Sequence, residues 1–195
     1  MDLFAYSWAA LRAAVADLPD EDFARPSGCT GWLVRDLVFH LVIDAQDVLI
    51  TLVTPTEAPP TRDAATYWDV SASPPAGDGP FDALTVRLAA AYEEPRLLRY
   101  HLDEVLTVRD YLDAYVLEWT LHHLDLIAHL PDVPGPPPES STYARRLLER
   151  IAGAPFPGSL TDEAALRVGT GRRAPTEAES SVLDTMATRL PLVLS

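Results

Sequence analysis

The sequence predicts a mainly α-helical protein, a four-helix bundle with a long crossover loop and a small C-terminal helix-strand-helix extension. Apolar residues recur at three- and four-residue steps in several segments, as on the buried stripe of an amphipathic helix. A segment rich in Pro, Asp and Ser interrupts this pattern and is too long for a hairpin connection. At 195 residues, the chain can bury one full core but is too short for two ordinary domains.

The first two predicted helices are defined by apolar periodicity. The first runs from Leu3 to about Leu18 and ends at Pro19, with a stripe formed by Leu3, Phe4, Trp8, Leu11, Val15 and Leu18. The second follows a turn-rich segment and reaches roughly Val53, with a stripe formed by Trp32, Leu33, Leu37, Leu41, Val48 and Leu49.

Residues 54–80 form the predicted crossover loop, and we expect Tyr67 and Trp68 to pack this loop against the rest of the protein. A third helix is predicted from near Phe81 to Tyr92, with Pro95 bending or restarting it before the segment LLRYHL.

The fourth predicted helix runs from near Thr107 to Leu130, and Thr107 precedes Asp110 at the spacing of a helix cap. Its inward stripe mixes apolar and ionisable side chains, namely Tyr111, Ala114, Tyr115, Glu118, Leu121, His122 and Asp125. The aromatic residues Trp8, Tyr111, Tyr115 and Trp119 are expected in the core or in a pocket wall.

The C-terminal residues predict a separate, smaller part. A Pro-rich linker follows residue 130, then an amphipathic helix from Thr142 to Ala152, a short strand at the segment AALRV, and a last helix whose capping box is Thr176 with Glu179. The predicted domains are residues 1–130, the metal-binding bundle, and residues 131–195, the linker and an extension packed on it.

Composition excludes several classes of function. The net charge of −14, with scattered basic residues, argues against nucleic-acid binding. The one cysteine, Cys29, cannot form an internal disulfide, the N-terminus lacks a signal-peptide pattern, and no apolar stretch is long enough to span a membrane. We therefore expect a cytoplasmic protein.

Glu118 and His122 lie four residues apart, so their side chains project from one helix face and can share an ion. A carboxylate in an apolar stripe must be paired, protonated or metal-bound. Asp125 can accept the second imidazole N–H and orient the ring. Taken alone, the Glu-His pair is weak evidence for a metal site, because roughly half or more of such pairs are surface ion pairs or satisfied core polar groups.

His40 is the candidate third ligand, because apolar residues flank it on the second helix. The alternative is a core histidine bonded to a carbonyl group. Two imidazoles and one carboxylate leave coordination positions open, which is typical of a catalytic site. Zinc is favoured as the ion, and non-haem iron is the alternative.

Other polar residues are given weaker roles. Asp36 either orients a ligand or caps the helix surface, and Arg35 is expected at the surface. For Cys29, a passive structural role is favoured about two to one over a reactive role, since the sequence shows no base nearby. His123 points about 100° away from His122, so it should not reach the same ion. It is expected at the surface, together with His101 and His129.

Two segments resemble a known family. Residues 31–41, GWLVRDLVFHL, and residues 118–126, EWTLHHLDL, are similar to the W-x-V-R-D-L-x-x-H-L and E-x-x-x-H-x-x-D-L signatures of the mycothiol-dependent maleylpyruvate isomerase N-terminal domain. This family lies within the DinB-like superfamily. The resemblance covers about Met1 to Leu130 and implies a DinB-like bundle.

The resemblance implies a divalent metal, typically zinc, held by His40, Glu118 and His122. It implies that the metal activates the thiol of mycothiol or a related low-molecular-weight cosubstrate. In the isomerase, the thiolate adds to a cis double bond, and elimination after rotation leaves the trans product; related enzymes transfer a thiol to an electrophile. The short tail offers no clear equivalent of the isomerase's larger C-terminal domain.

The expected function is a metal-dependent thiol S-transferase or isomerase acting on a small electrophilic molecule. A hydrolase that uses metal-bound water and a non-catalytic metal-binding or stress-response protein are the alternatives. The sequence leaves monomer and homodimer open.

Overall fold

Helices make up most of the computed structural model, which describes residues 3–69, 97–100 and 104–193. They are α1 (Leu3–Ala16), α2 (Val34–Leu52), α3 (Val108–Leu126), α4 (Pro138–Ala152), α5 (Asp162–Gly169) and α6 (Glu177–Leu183). The prediction of a mainly α protein is confirmed. The third predicted helix, residues 81–92, lies outside the described residues. Among the residues that are described, no helix combines the length and apolar character needed to cross a membrane.

The chain divides into two compact units. The first combines Met1–Phe39 with Tyr115–Ser195, and the second is His40–Ala114. The division falls within α2 and α3. The predicted domain boundary at residue 130 stays a prediction.

In the first unit, α1 is joined to α3 by aromatic packing and to α4 by a polar contact. The indole of Trp119 lies 4.4 Å from the ring of Phe4 and 4.7 Å from that of Trp8. Ser7 and Ser140 place their hydroxyl oxygens 2.8 Å apart in a buried position. The expected core role of these aromatic residues is confirmed for Trp119, which is 2% exposed.

The segment AALRV lies within helix α5, so the predicted strand in the C-terminal extension is wrong. Thr161 caps the helix, since its hydroxyl accepts a hydrogen bond from the Ala164 amide at 3.1 Å. Acidic residues occupy the first turn, where they interact favourably with the helix dipole. A five-residue apolar run does not distinguish strand from helix, and here the cap and the strong helix formers Ala and Leu decide.

Helix α6 begins with the predicted capping box. The Thr176 hydroxyl accepts from the Glu179 amide, and the Glu179 carboxylate accepts from the Thr176 amide at 2.8 Å. Arg173 adds a bidentate pair to the same carboxylate, at 2.6 and 2.7 Å. A 3-10 helix, Asp184–Arg189, follows.

The second unit contains a three-stranded antiparallel sheet that the sequence analysis missed. Its strands are β1 (Pro55–Thr56), β2 (Leu97–Tyr100) and β3 (Glu104–Thr107), in the order β1-β2-β3. Leu98 pairs with Pro55 on one side and Leu106 on the other. The predicted helical restart at LLRYHL is therefore wrong over Leu97–Tyr100. Both β2 and β3 span only four residues, and segments this short carry no distinguishing period.

The starts of α2 and α3 follow local side-chain chemistry. The Asp36 carboxylate accepts from the Leu33 amide at 3.0 Å, so Asp36 caps α2 and is half-exposed. At α3, the Thr107 hydroxyl accepts from the Asp110 amide at 3.0 Å, which confirms the predicted cap. In the crossover segment, Tyr67 packs edge-on against Tyr111 with ring centres 6.3 Å apart.

The predicted stripe of α2 is only partly buried. Leu37, Leu41 and Val48 are in the core, as expected. Trp32 is 39% exposed and Leu49 is 65% exposed, so these two expectations are wrong. Trp32 precedes the first helical residue, and the helical period therefore does not govern its direction.

We expect Gly169→Ala to destabilise the protein, because the added Cβ would lie 2.6 Å from Leu148 Cδ2 and 2.9 Å from Phe156 Cζ. Overpacking of this kind costs about 1–3 kcal/mol, against a gain in helix propensity below about 1 kcal/mol. Urea denaturation should show the net loss. Gly158→Ala is the matched control, since nothing lies within 4 Å of its Cβ position, and equal stabilities of the two variants would contradict the packing described here.

We expect the carboxyl group of Glu179 to titrate with a pKa of about 2, because Arg173 and the Thr176 amide both donate to it. A pKa lowered by folding stabilises the protein above the ordinary pKa, near 4.5, and this contribution is lost as the pH falls towards 2. Carboxyl-carbon NMR titration measures the pKa of Glu179. Arg173→Met should raise the pKa towards the ordinary value and Arg189→Met should not; an unshifted wild-type pKa would refute the expectation.

Candidate metal centre

The second half of α3 places three ionisable side chains of the first unit in a row. Glu118, His122 and Asp125 follow one another at steps of four and three residues, so they share a helix face. Nε2 of His122 lies 3.0 Å from Glu118 Oε1, and Nδ1 lies 3.1 Å from Asp125 Oδ2. Each nitrogen of the imidazole therefore faces its own carboxylate, as the helical spacing predicts for Asp125.

The two carboxylates differ in their access to solvent. The side chain of Asp125 is 2% exposed, that of His122 is 10% exposed, and that of Glu118 is 22% exposed. The Nδ1 side of the imidazole is thus closed by the protein, whereas the Nε2 side carries the more accessible carboxylate. An imidazole nitrogen beside a carboxylate oxygen is a donor pair that fits a divalent metal ion.

Asp125 is held by an arginine from the C-terminal extension. Nε of Arg172 donates to Oδ1 at 2.8 Å, and Nη2 donates to Oδ2 at 2.8 Å. Both partners are buried, with the Arg172 side chain 5% exposed. Paired parallel hydrogen bonds of this type fix the plane of a carboxylate and compensate its charge.

The turn before α2 brings Cys29 to the same carboxylate. The Gly28 amide donates to the Asp125 carbonyl oxygen at 2.7 Å, and a Cβ on Gly28 would lie 2.8 Å from Asp125 Cα, so only glycine permits this approach. The Cys29 thiol then donates to Asp125 Oδ2 at 3.4 Å, with Sγ 4.0 Å from His122 Nδ1. The premise that no base lies near Cys29 is wrong.

The hydrogen-bonded row shifts the pKa values of its members. Burial would lower the pKa of the His122 imidazole, but hydrogen bonds with Asp125, Cys29 and Glu118 and the charge of Glu118 together hold it well above its ordinary value. Burial would raise the pKa of Asp125, but His122 and Arg172 outweigh it and the pKa is lowered. The two carboxylates thus favour the protonated form of the His122 imidazole, so a metal at Nε2 competes with a proton.

Cys29, His122 and Asp125 offer ligand atoms that all lie within 4.8 Å of one another. Such a cluster can in principle bind a thiophilic metal. However, Arg172 already occupies both oxygens of Asp125, and its positive charge opposes a second cation there. The geometry therefore favours a hydrogen-bond network for these three residues.

His40 belongs to the second unit, where its Nε2 lies 3.2 Å from Asp44 Oδ2 on the next turn of α2. Its partner in this contact is a carboxylate. The side chain is 31% exposed. That His40 shares one ion with Glu118 and His122 stays a prediction.

The remaining histidines separate clearly. His123 is 2% exposed and lies with Nε2 3.0 Å from the Pro134 carbonyl oxygen, so its expected surface position is wrong. Burial lowers its pKa, although the hydrogen bond to Pro134 opposes this. His129 is exposed, as expected, and His101 lies outside the described residues. Arg35 is also exposed, as expected.

Arg172 is the residue of this network that sequence reasoning missed. It lies 47 residues from Asp125 along the chain, within the segment VGTGRRAPTEAE, and no local period links the two. The available indication was chemical: a buried carboxylate beside a single histidine needs another cationic partner.

Comparison with known proteins identifies the family of the chain. The family model described as mycothiol maleylpyruvate isomerase N-terminal domain matches residues 4–127. Comparison with curated proteins and with solved structures gives no match. The matched range contains α2, α3 with its ionisable row, and all of α1 except its first residue. The chain thus belongs to the mycothiol maleylpyruvate isomerase N-terminal domain family.

Proposed function

We propose that this protein is a metal-dependent enzyme that activates a low-molecular-weight thiol of the mycothiol type. The activated thiol would be transferred to a small electrophilic substrate or would assist the isomerisation of one. The observation that carries the proposal is the pairing of Glu118 with Nε2 of His122 on the accessible side of the ring, in a chain of this family.

The proposed metal ligands are His40, Glu118 and His122. Support comes from the type of their donor atoms, since two imidazole nitrogens and a carboxylate oxygen suit zinc and leave a coordination position for a thiol or water. Further support comes from the positions of these residues in two segments that resemble the family signatures.

A divalent metal supplies one property when bound: it lowers the pKa of a coordinated thiol, which makes the thiolate available near neutral pH. The chain's own residues prepare the site. The Asp125 carboxylate accepts a hydrogen bond from Nδ1–H of His122, which keeps the proton on Nδ1, leaves Nε2 as the nitrogen for a metal and fixes the plane of the ring. Glu118 supplies negative charge beside Nε2 that offsets the charge of a divalent ion.

We expect the protein, purified without a histidine tag, to retain about one equivalent of zinc, since the proposed centre has a single set of three protein ligands. His122→Ala and His40→Ala should each weaken metal affinity by more than about 100-fold, because loss of a direct ligand exceeds the effect of outer partners. Elemental analysis measures the metal content, and chelator competition measures the metal affinity.

His129→Ala is the matched control, because His129 is exposed and lies just beyond α3. Full metal retention by His40→Ala would remove His40 from the ligand set. Full retention by His122→Ala would refute the proposed centre.

We also expect the metal-loaded protein to consume electrophiles, maleylpyruvate among them, only when mycothiol is present, and chelation of the metal should abolish the reaction. Chromatography with mass detection of both thiol and substrate measures this dependence. Turnover without any thiol would instead indicate a hydrolase using metal-bound water. Metal retention with no turnover of either kind would indicate a non-catalytic metal-binding protein.

A further inference from the structure

We propose that Arg172, in the C-terminal extension, is a positioning residue for the metal centre: it holds Asp125 so that Asp125 in turn orients His122 towards Glu118. This inference rests on the proposed role of His122 as a metal ligand. It assigns a function to a part of the chain that lies beyond the matched family domain, which ends at residue 127.

The contacts of Arg172 show which group this arginine serves. Its Nε and Nη2 both donate to Asp125 at 2.8 Å. Nη1 is buried and has no hydrogen-bond partner among the residues that the structure describes. A guanidinium that is 5% exposed and directs its polar contacts to one carboxylate is therefore dedicated to that carboxylate.

The pair also determines what Asp125 can do for the imidazole. Its Oδ2 receives Nη2 of Arg172 and faces Nδ1 of His122 at 3.1 Å, so one oxygen joins the arginine to the ring. Because Oδ1 and Oδ2 are both engaged by the fork, the carboxylate cannot rotate away from the ring without breaking a charge-assisted bond. The direction of Nδ1–H is thereby fixed, and with it the direction of Nε2.

The local fold holds Arg172 in place. Arg172 lies in the turn after α5. It directly follows Gly171, whose φ of +74° turns the chain. The Leu192 amide donates to the Gly169 carbonyl at 2.8 Å, and the Arg173 amide donates to the Arg167 carbonyl at 3.2 Å. The turn is thus anchored on both sides of the arginine.

The adjacent residue supplies a matched control. Arg173 also makes a bidentate pair, at 2.6 and 2.7 Å, but its partner is Glu179 at the start of α6. Arg172 and Arg173 therefore share residue type, segment and bonding mode and differ in whether the carboxylate belongs to the row on α3.

The test compares Arg172→Met, Arg172→Lys and Arg173→Met in the full chain. Each variant is loaded with zinc or Co²⁺, and metal affinity, the visible Co²⁺ spectrum and urea unfolding of the metal-free form are measured. Arg172→Met should weaken metal affinity by about 10–100-fold and alter the Co²⁺ spectrum. Arg172→Lys keeps the charge without the planar fork and should restore the affinity only in part. Arg173→Met should leave affinity and spectrum unchanged.

Unchanged affinity and Co²⁺ spectrum in Arg172→Met, with lowered stability alone, would show a purely structural role and overturn the inference. Should Arg172→Met fail to fold, Arg172→Lys decides: wild-type affinity and spectrum would overturn it, and a partial loss would support it.

A separate readout distinguishes this inference from the proposed function. Nitrogen NMR of His122 in the metal-free protein should show a slowly exchanging Nδ1–H in wild type and in Arg173→Met, and a faster one in Arg172→Met. If the wild type binds no metal, the proposed function fails, and the NMR comparison still decides whether Arg172 positions the ring. Equal exchange in all variants would overturn the positioning role.

Discussion

The burial of the Asp125 carboxylate is the constraint on which the described site depends. A carboxylate that is 2% exposed is unfavourable by several kcal/mol or more unless its charge and its lone pairs are compensated. The chain meets this requirement with Arg172, His122 and the thiol of Cys29. The donors come from the turn before α2, from α3 and from the segment after α5, so one buried charge ties together three distant parts of the first unit.

The same constraint explains the packing around the end of α3. The backbone of Asp125 accepts the Gly28 amide at 2.7 Å, and the absence of a side chain on Gly28 lets the turn come this close. Cys29 follows and lies beside the carboxylate because of that approach. Removal of one compensating group would leave the others facing an unpaired charge, and such losses exceed the value of the contact itself.

Local spacing made part of this site predictable. Glu118, His122 and Asp125 lie on one helix, and the helical period alone places them on one face. Arg172 and Cys29 reach the carboxylate through turns whose course depends on tertiary packing, which no local pattern encodes. The same distinction applies to the fold: capped helices were predicted well, whereas AALRV and LLRY are too short for their sequence pattern to distinguish helix from strand.

The two sides of the His122 ring differ in a way that bears on where a ligand can bind. A neutral imidazole has one lone pair, and the nitrogen that keeps its proton cannot bind a metal. Nδ1 faces a carboxylate already neutralised by Arg172 in a closed environment, so its proton is well held. Nε2 faces Glu118, whose side chain is 22% exposed. A proton on Nε2 can therefore be exchanged for a cation from solvent. A metal that enters from solvent therefore meets Nε2 first, and the closed side of the ring serves to keep that nitrogen available.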